Sequence, residues 1–229
     1  MSINLLKPTE LFFIALVISF VTSQGGISGA YLLLPIQSYI LNTTNPVITS
    51  TNLMYNLVSI PLSIHRYVRE RRPAMSLTLI LIMSSSIGAV LGTWLRRHYL
   101  IGGYVFSYFM GSVLLTLAME LILSSLLIRE IRIYEEVLRC YRRRLLLIIT
   151  TTKDNTYKVN IPLLVIITVL VGIIGSAYGI GGASILSPIL MGPMGLLAYV
   201  ISGSTLIVTF IVSMMGNIVY VPWLSARHN

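Results

Sequence analysis

Two glycine-rich stretches hold the chemistry open to this chain. The first is Gly26-Ile27-Ser28-Gly29-Ala30-Tyr31-Leu32-Leu33-Leu34-Pro35-Ile36. The second is Gly179-Ile180-Gly181-Gly182-Ala183-Ser184-Ile185-Leu186-Ser187-Pro188-Ile189. Each interrupts a long apolar run. Glycine removes bulk and tolerates positive φ. Unwound backbone at membrane depth survives only where protein or a wet cavity satisfies it. Such a break leaves helix N-termini whose N–H groups and partial positive charge suit an anion. Gly26, Ser28, Gly29, Gly179, Gly181 and Gly182 are the first binding candidates. Close helix packing without a ligand is the competing account. Neither stretch ends in Gly-Lys-Ser/Thr or follows a strand, so neither is a nucleotide loop.

Polar side chains follow each stretch. Asn52 and Asn56, at i and i+4, share a helix face. Ser204 and Thr205 hold the equivalent place after the second stretch. Neutral donors at these levels could bind an oxyanion without a buried cation; interhelical hydrogen bonding is the plainer use. Glu120 lies deep in an apolar segment, which makes it a candidate for binding a coupling proton. Snorkelling, or pairing with Arg129 or Arg132, is the alternative. His65, His98 and His228 sit at segment edges without metal-ligand spacing. No nucleophile–base pair is visible, and the single cysteine, Cys140, excludes a disulfide framework. No enzyme activity, metal or cofactor is expected.

The two stretches align without a gap at an offset of 153 residues, and the match continues. Val47-Ile48-Thr49 falls on Val200-Ile201-Ser202, Thr51 on Ser204 and Leu53 on Leu206. This is an internal duplication. Of 229 residues, 55% are hydrophobic and only 10% charged, against roughly a quarter charged in soluble domains. The mean hydropathy is +0.86. The chain is read as an all-α polytopic membrane protein, a duplicated helical bundle with Gly-broken transmembrane helices. The net charge of +9 clusters between apolar segments, which fits membrane topology and lipid headgroups rather than nucleic acid.

About six spans are expected, at 10–40, 47–64, 75–95, 101–128, 161–190 and 196–221. They divide into a first repeat over 1–128, a basic cytoplasmic link over 129–158 and a second repeat over 159–229. The two Gly-broken segments are read as bent spans or paired half-helices. Arg96-Arg97-His98 is expected to make a tight turn. The link should open as a charged helix from Arg129 to Arg144, then form a strand, turn and strand over 145–152 and 156–160. The cationic loops put the N-terminus in the cytoplasm, with only Arg96 and Arg97 opposing. Four spans before the link make the repeats parallel rather than inverted, unless a broken segment is a re-entrant hairpin. The offset places counterparts of spans three and four beyond Asn229, so a longer parent chain is expected.

The Gly-Ile-Ser-Gly-Ala-x-Leu-Leu-x-Pro and Gly-Ile-Gly-Gly-Ala-x-Ile-Leu-x-Pro motifs at 26–35 and 179–188, with the Ser/Thr-rich segments after them, resemble the TauE/SafE family. That resemblance implies a plasma-membrane carrier of sulfite, sulfonates or related sulfur anions, built by duplication. It maps the family's motif onto Gly26, Gly29 and Pro35, and onto Gly179, Gly181, Gly182 and Pro188. The expected activity is secondary active transport of a small anion by alternating access between the two broken helices. The partners are that anion and membrane lipid, and a homo-oligomer is compatible with the sequence. A passive anion channel and a non-transporting membrane scaffold are the alternatives.

Overall fold

Proline sets the start of several helices. Pro46, Pro61 and Pro162 fall in a first turn, where no backbone donor is needed. The structure is a computed structural model that describes residues 6–23, 28–70, 72–101, 103–127, 137–143, 146–151, 156–192, 194–196 and 198–228. In chain order its elements are α1 (Leu6–Ser23), α2 (Ala30–Leu41), α3 (Pro46–Ser59), α4 (Pro61–Arg69), α5 (Met75–His98) and α6 (Gly103–Leu127). Then come β1 (Val137–Arg143), β2 (Leu146–Thr151), β3 (Thr156–Asn160), α7 (Ile161–Tyr178), α8 (Ala183–Met191) and α9 (Ala198–His228). Helices α5, α6, α7 and α9 are long and apolar enough to cross a membrane. Large apolar side chains stay exposed on α1, α5 and α6, including Phe12, Phe20, Met83, Ile87, Leu115 and Met119. That exposure suits lipid rather than water. The fold is a mostly helical polytopic membrane protein, as expected. The six expected spans, however, resolve into four long helices and several shorter ones.

Helices α5 and α7 pack most closely. A Cβ on Gly172 would come within 2.6 Å of the Ser85 carbonyl oxygen, and one on Gly88 within 3.0 Å of the Gly172 Cα. Further along, the Thr93 and Ser176 hydroxyls bond at 2.7 Å. The contacts advance together, so α5 and α7 run parallel. Helix α9 runs with them: Thr78 donates to Ser204 at 2.9 Å near one end, and Gly216 lies beside Ser176 and Thr93 near the other. Helix α3 opposes α9, because Ser50 bonds Asn217 while Asn56 bonds Ser213.

The second glycine stretch reverses the chain. Helix α8 turns back against α9, with the Ala183 amide on Thr209 and Ser187 on Thr205. Residues 161–190 are therefore one crossing helix and a returning half-helix, not one bent span. At 1.5 Å per residue, the nine residues of α8 reach only about 14 Å. This corrects the parallel arrangement of the repeats. The offset of 153 lays α3 on the start of α9, and these two helices are antiparallel, so the repeats are inverted. Hydropathy alone could not reveal it, since a hairpin and a broken span give the same apolar run.

Between the repeats, β1, β2 and β3 form an antiparallel sheet in that order. The two expected strands are present as β2 and β3, pairing Leu146 with Asn160 and Thr150 with Thr156. The helix expected over Arg129–Arg144 is a strand across Val137–Arg143, with Tyr141 opposite Ile148. The apolar, partly β-branched β2 supplies it with a ladder. Residues 128–136, 144–145 and 152–155 lie outside the described residues. Leu147, Ile149 and Val159 are buried in one apolar cluster with Leu77, Leu81 and Leu164. The sheet thus docks at the N-terminal ends of α5 and α7. Those helices are parallel, so the sheet and the cationic 66–72 segment share one side of the bundle.

Candidate functional site

The second break is built by glycine geometry. Gly179, Gly181 and Gly182 have φ of +99°, +78° and +106°, which side-chain-bearing residues rarely adopt. The amides of Gly179, Ile180 and Gly181 converge on the Gly175 carbonyl at 2.9, 2.9 and 3.1 Å. Of the first break, Gly26 lies outside the described residues. Gly29 has ordinary helical φ, and its role is space: a Cβ there would meet Ile18 and Thr22 at 2.7 Å and the Tyr55 hydroxyl at 2.9 Å.

Two asparagines on α3 clasp the breaks together. Asn52 Nδ2 donates to the carbonyls of Ala30 at 2.8 Å and Gly179 at 2.9 Å. Asn56 Nδ2 donates to the Ile180 carbonyl at 3.3 Å and to Ser213 Oγ at 3.1 Å. Asn56 Oδ1 accepts from the Ser28 hydroxyl. Ser184 Oγ closes the group on the Ser28 carbonyl at 3.3 Å. The structure therefore brings Ser28, Asn52, Asn56, Gly179 and Gly181 to one place, with Gly182 beside them. It does not bring Ser204 and Thr205 there. Ser204 accepts from Thr78, and Thr205 accepts from Ser187 while donating along its own helix to Ile201. The hydroxyls of α9 that reach the break are those of Thr209 and Ser213, one and two turns further on. Because α8 is short and returns at once, the break meets α9 nearer its middle than the repeat register suggests.

Most donors in this clasp are engaged. Thr209 Oγ1 takes the Ala183 amide at 2.8 Å, so the start of α8 does not offer that N–H to a ligand. Asn52 directs its Nδ2 at two carbonyls and keeps only a buried acceptor, Oδ1, without a partner. An acceptor repels an anion. The asparagines hold the breaks in register, and an open space lies beside them.

That space is a cavity of about 300 Å³ ending on Ser28 and Gly29. Six hydroxyl-bearing residues line it: Ser19, Thr22, Ser28, Tyr55, Ser59 and Ser63. Among the described residues no acidic side chain does. Ser19 and Thr22 donate back to the carbonyls of Ala15 and Ile18 at 2.7 Å. Such bonds release by hydroxyl rotation when a stronger acceptor arrives. Leu62 and Ser63 also line a second pocket of about 290 Å³ with His65, Arg66 and Tyr67. Next to it, Glu70 is shared between Arg66 and Arg72, and Arg72 stacks 4.4 Å from the Tyr67 ring and 4.3 Å from the Tyr199 ring. Two arginines against one carboxylate leave this mouth positive, which raises the local concentration of anions. Sequence reasoning missed the cavity, although Tyr55, Ser59 and Ser63 recur at helical spacing.

Arg96 was missed as well. It is not in a tight turn: α5 continues through it to His98, and its side chain is fully buried. It therefore does not belong among the loop cations used for orientation. Its signal was a cation one turn inside an apolar helix. Glu120 is half-buried on α6, on the face that buries Val113 and Leu117. Among the described residues it forms no ion pair, and it does not join the asparagine clasp.

A family model described as "Sulfite exporter TauE/SafE" matches residues 11–228, nearly the whole chain. No curated protein and no solved structure matches it.

Proposed function

The chain belongs to the TauE/SafE sulfite exporter family, and from that premise we propose that it is a secondary active carrier of a small sulfur oxyanion, sulfite or an organosulfonate. The observation that carries this reading is the hydroxyl-lined cavity of about 300 Å³ lined by Ser28 and Gly29, at the first of two repeat-related glycine stretches. Hydroxyls offer donors to sulfonyl or sulfite oxygens, and the arginine-flanked mouth supplies attraction without a fixed buried charge. Inverted repeats whose irregular backbone lines a cavity are the usual frame for alternating access. In this scheme Ser28 and Gly29 contact the anion, and Asn52, Asn56, Gly179, Gly181 and Gly182 transmit movement of one hairpin to the other. Glu120, the one carboxylate on the four membrane-crossing helices, carries a coupling proton. The carrier sits in the plasma membrane with the β-sheet and the cationic 66–72 segment facing the cytoplasm; inversion of the repeats then puts the N-terminus on the opposite face.

Purified protein in liposomes tests this directly. Saturable movement of labelled sulfite or sulfoacetate, driven by a proton gradient and reduced by Glu120→Gln, is expected. Absence of movement of any sulfur oxyanion under proton, sodium or potassium gradients would defeat the proposal. A linear, unsaturable flux would instead identify a channel.

A further inference from the structure

A second group with unmet chemistry lies at the opposite end of α5 from the cavity mouth. Arg96 is buried completely, yet no carboxylate meets it among the described residues. Its Nε donates to Thr49 Oγ1 at 3.3 Å, and Nη2 donates to the Thr44 carbonyl at 2.5 Å. The guanidinium carbon stands 3.4 Å from the centre of the Phe106 ring. Nη1 has no partner, and neither has the buried hydroxyl of Tyr220 on α9. Gly216 of α9 packs beside Thr93 of α5; Tyr220 and Arg96 each lie one turn further along these parallel helices, so both buried side chains stand at the same level.

Buried cations are ordinarily paired with an opposite charge. A guanidinium can only donate, and a tyrosine hydroxyl can donate as well. One ligand answers both and supplies the missing charge: an anion with at least two oxygens. A water would satisfy the geometry and leave the charge unmet. Thr49 joins this place to the second break, since it packs against Gly179, where an added Cβ would lie 3.0 Å from the Thr49 carbonyl oxygen.

We propose that Arg96 Nη1 and the Tyr220 hydroxyl form a second oxyanion-binding station, on the far side of the asparagine clasp from the Ser28 cavity. This rests on the carrier reading: an anion leaving the cavity is received here before release. Two stations separated by a clasp let the breaks move while the anion is never left without donors.

The test separates the two sites. In the full chain, Ser59→Leu fills the cavity, and sulfite binding is measured by titration calorimetry. Sulfite still binds this variant, and adding Tyr220→Phe weakens the dissociation constant by about tenfold. Tyr220→Phe removes a hydroxyl that bonds nothing in the protein, so its melting temperature without sulfite does not fall. Arg96→Lys, which keeps charge but loses the planar fork, weakens binding too. Unchanged affinity on adding Tyr220→Phe, or no sulfite binding to Ser59→Leu, overturns the station. Sulfite flux through the unaltered protein reports on the carrier reading alone: flux without a Tyr220 effect on binding sinks the station and leaves the carrier, while a Tyr220 effect without flux does the reverse.

Discussion

Asn52 donates to the carbonyl of Gly179 across 127 residues of chain. This bond, with its twin to Ala30, ties the first repeat's helix to the second repeat's break. Replacing Asn52 with Ala strands two buried carbonyls, each costing about 1–3 kcal/mol. Asn52→Ala should lower stability by about 2–5 kcal/mol, read as a melting shift in detergent. Asn52→Asp should do worse, because a carboxylate would face two carbonyl oxygens.

Gly181 tolerates no side chain. A Cβ would lie 2.5 Å from Thr209 Cγ2 and 2.8 Å from Ser213 Oγ, at a φ of +78°. Gly181→Ala should cost about 2–4 kcal/mol from clash and backbone strain together. Thr209→Ser removes the offending methyl, so it should recover part of the loss in the double variant, leaving the share due to φ. Gly111 is the control: a Cβ there meets nothing within 4 Å, and Gly111→Ala on α6 should be neutral or stabilise by up to about 1 kcal/mol.

Filling the cavity should separate transport from folding. Ser59→Leu adds an apolar side chain to a space of about 300 Å³ and gives up a hydrogen bond with Tyr55, whose hydroxyl keeps Ser19 as a partner. Sulfite uptake into liposomes should fall at least about tenfold, a loss of roughly 1.4 kcal/mol in transition-state terms. The melting temperature should stay within a degree or two of the parent, which corresponds to about 0.5 kcal/mol. Uptake at the parent rate would place the anion's path elsewhere.

Acid should loosen the mouth. The hydrogen bond from Arg66 is the main cause holding the partly exposed Glu70 carboxyl below its ordinary 4.5. A depressed carboxylate contributes its stability above the unfolded-state value and loses it as pH falls through the folded-state one. The melting difference between the parent and Glu70→Gln should therefore be largest near neutrality, shrink below about pH 4, and be smaller in high salt.

Much of the fold lay open in the sequence, and the reasons are local. The duplicated Gly-Ile-x-Gly-Ala motif announced the two breaks, and Asn52 and Asn56 at i and i+4 announced a shared face. Strands β2 and β3 followed from their apolar and β-branched runs. What stayed hidden depends on direction and distance. A run of apolar residues from Ile161 to Leu190 reads the same whether it crosses once or folds back, so the inversion was lost. Strand β1 is charged and gains its conformation from β2, a partner no local pattern names. Ser204 and Thr205 matched Thr51 and Asn52 by register, but α8's early return brings Thr209 and Ser213 to the break instead. Arg96 looked like a loop cation because its burial is set by Thr44 and Thr49, some fifty residues earlier, and by Phe106 on the next helix.

Helices α3 and α9 descend from one sequence yet point in opposite directions, and this has a consequence for the states the chain can adopt. Whatever shape the first half takes, the second half is chemically able to take an approximation of it, upside down. On the proposed carrier reading, the cavity at Ser28 and Gly29 has a latent twin at Gly181 and Gly182 on the other face. If the halves trade conformations, the opening migrates from one face to the other with no new architecture, and the asparagine clasp is the pivot about which they trade.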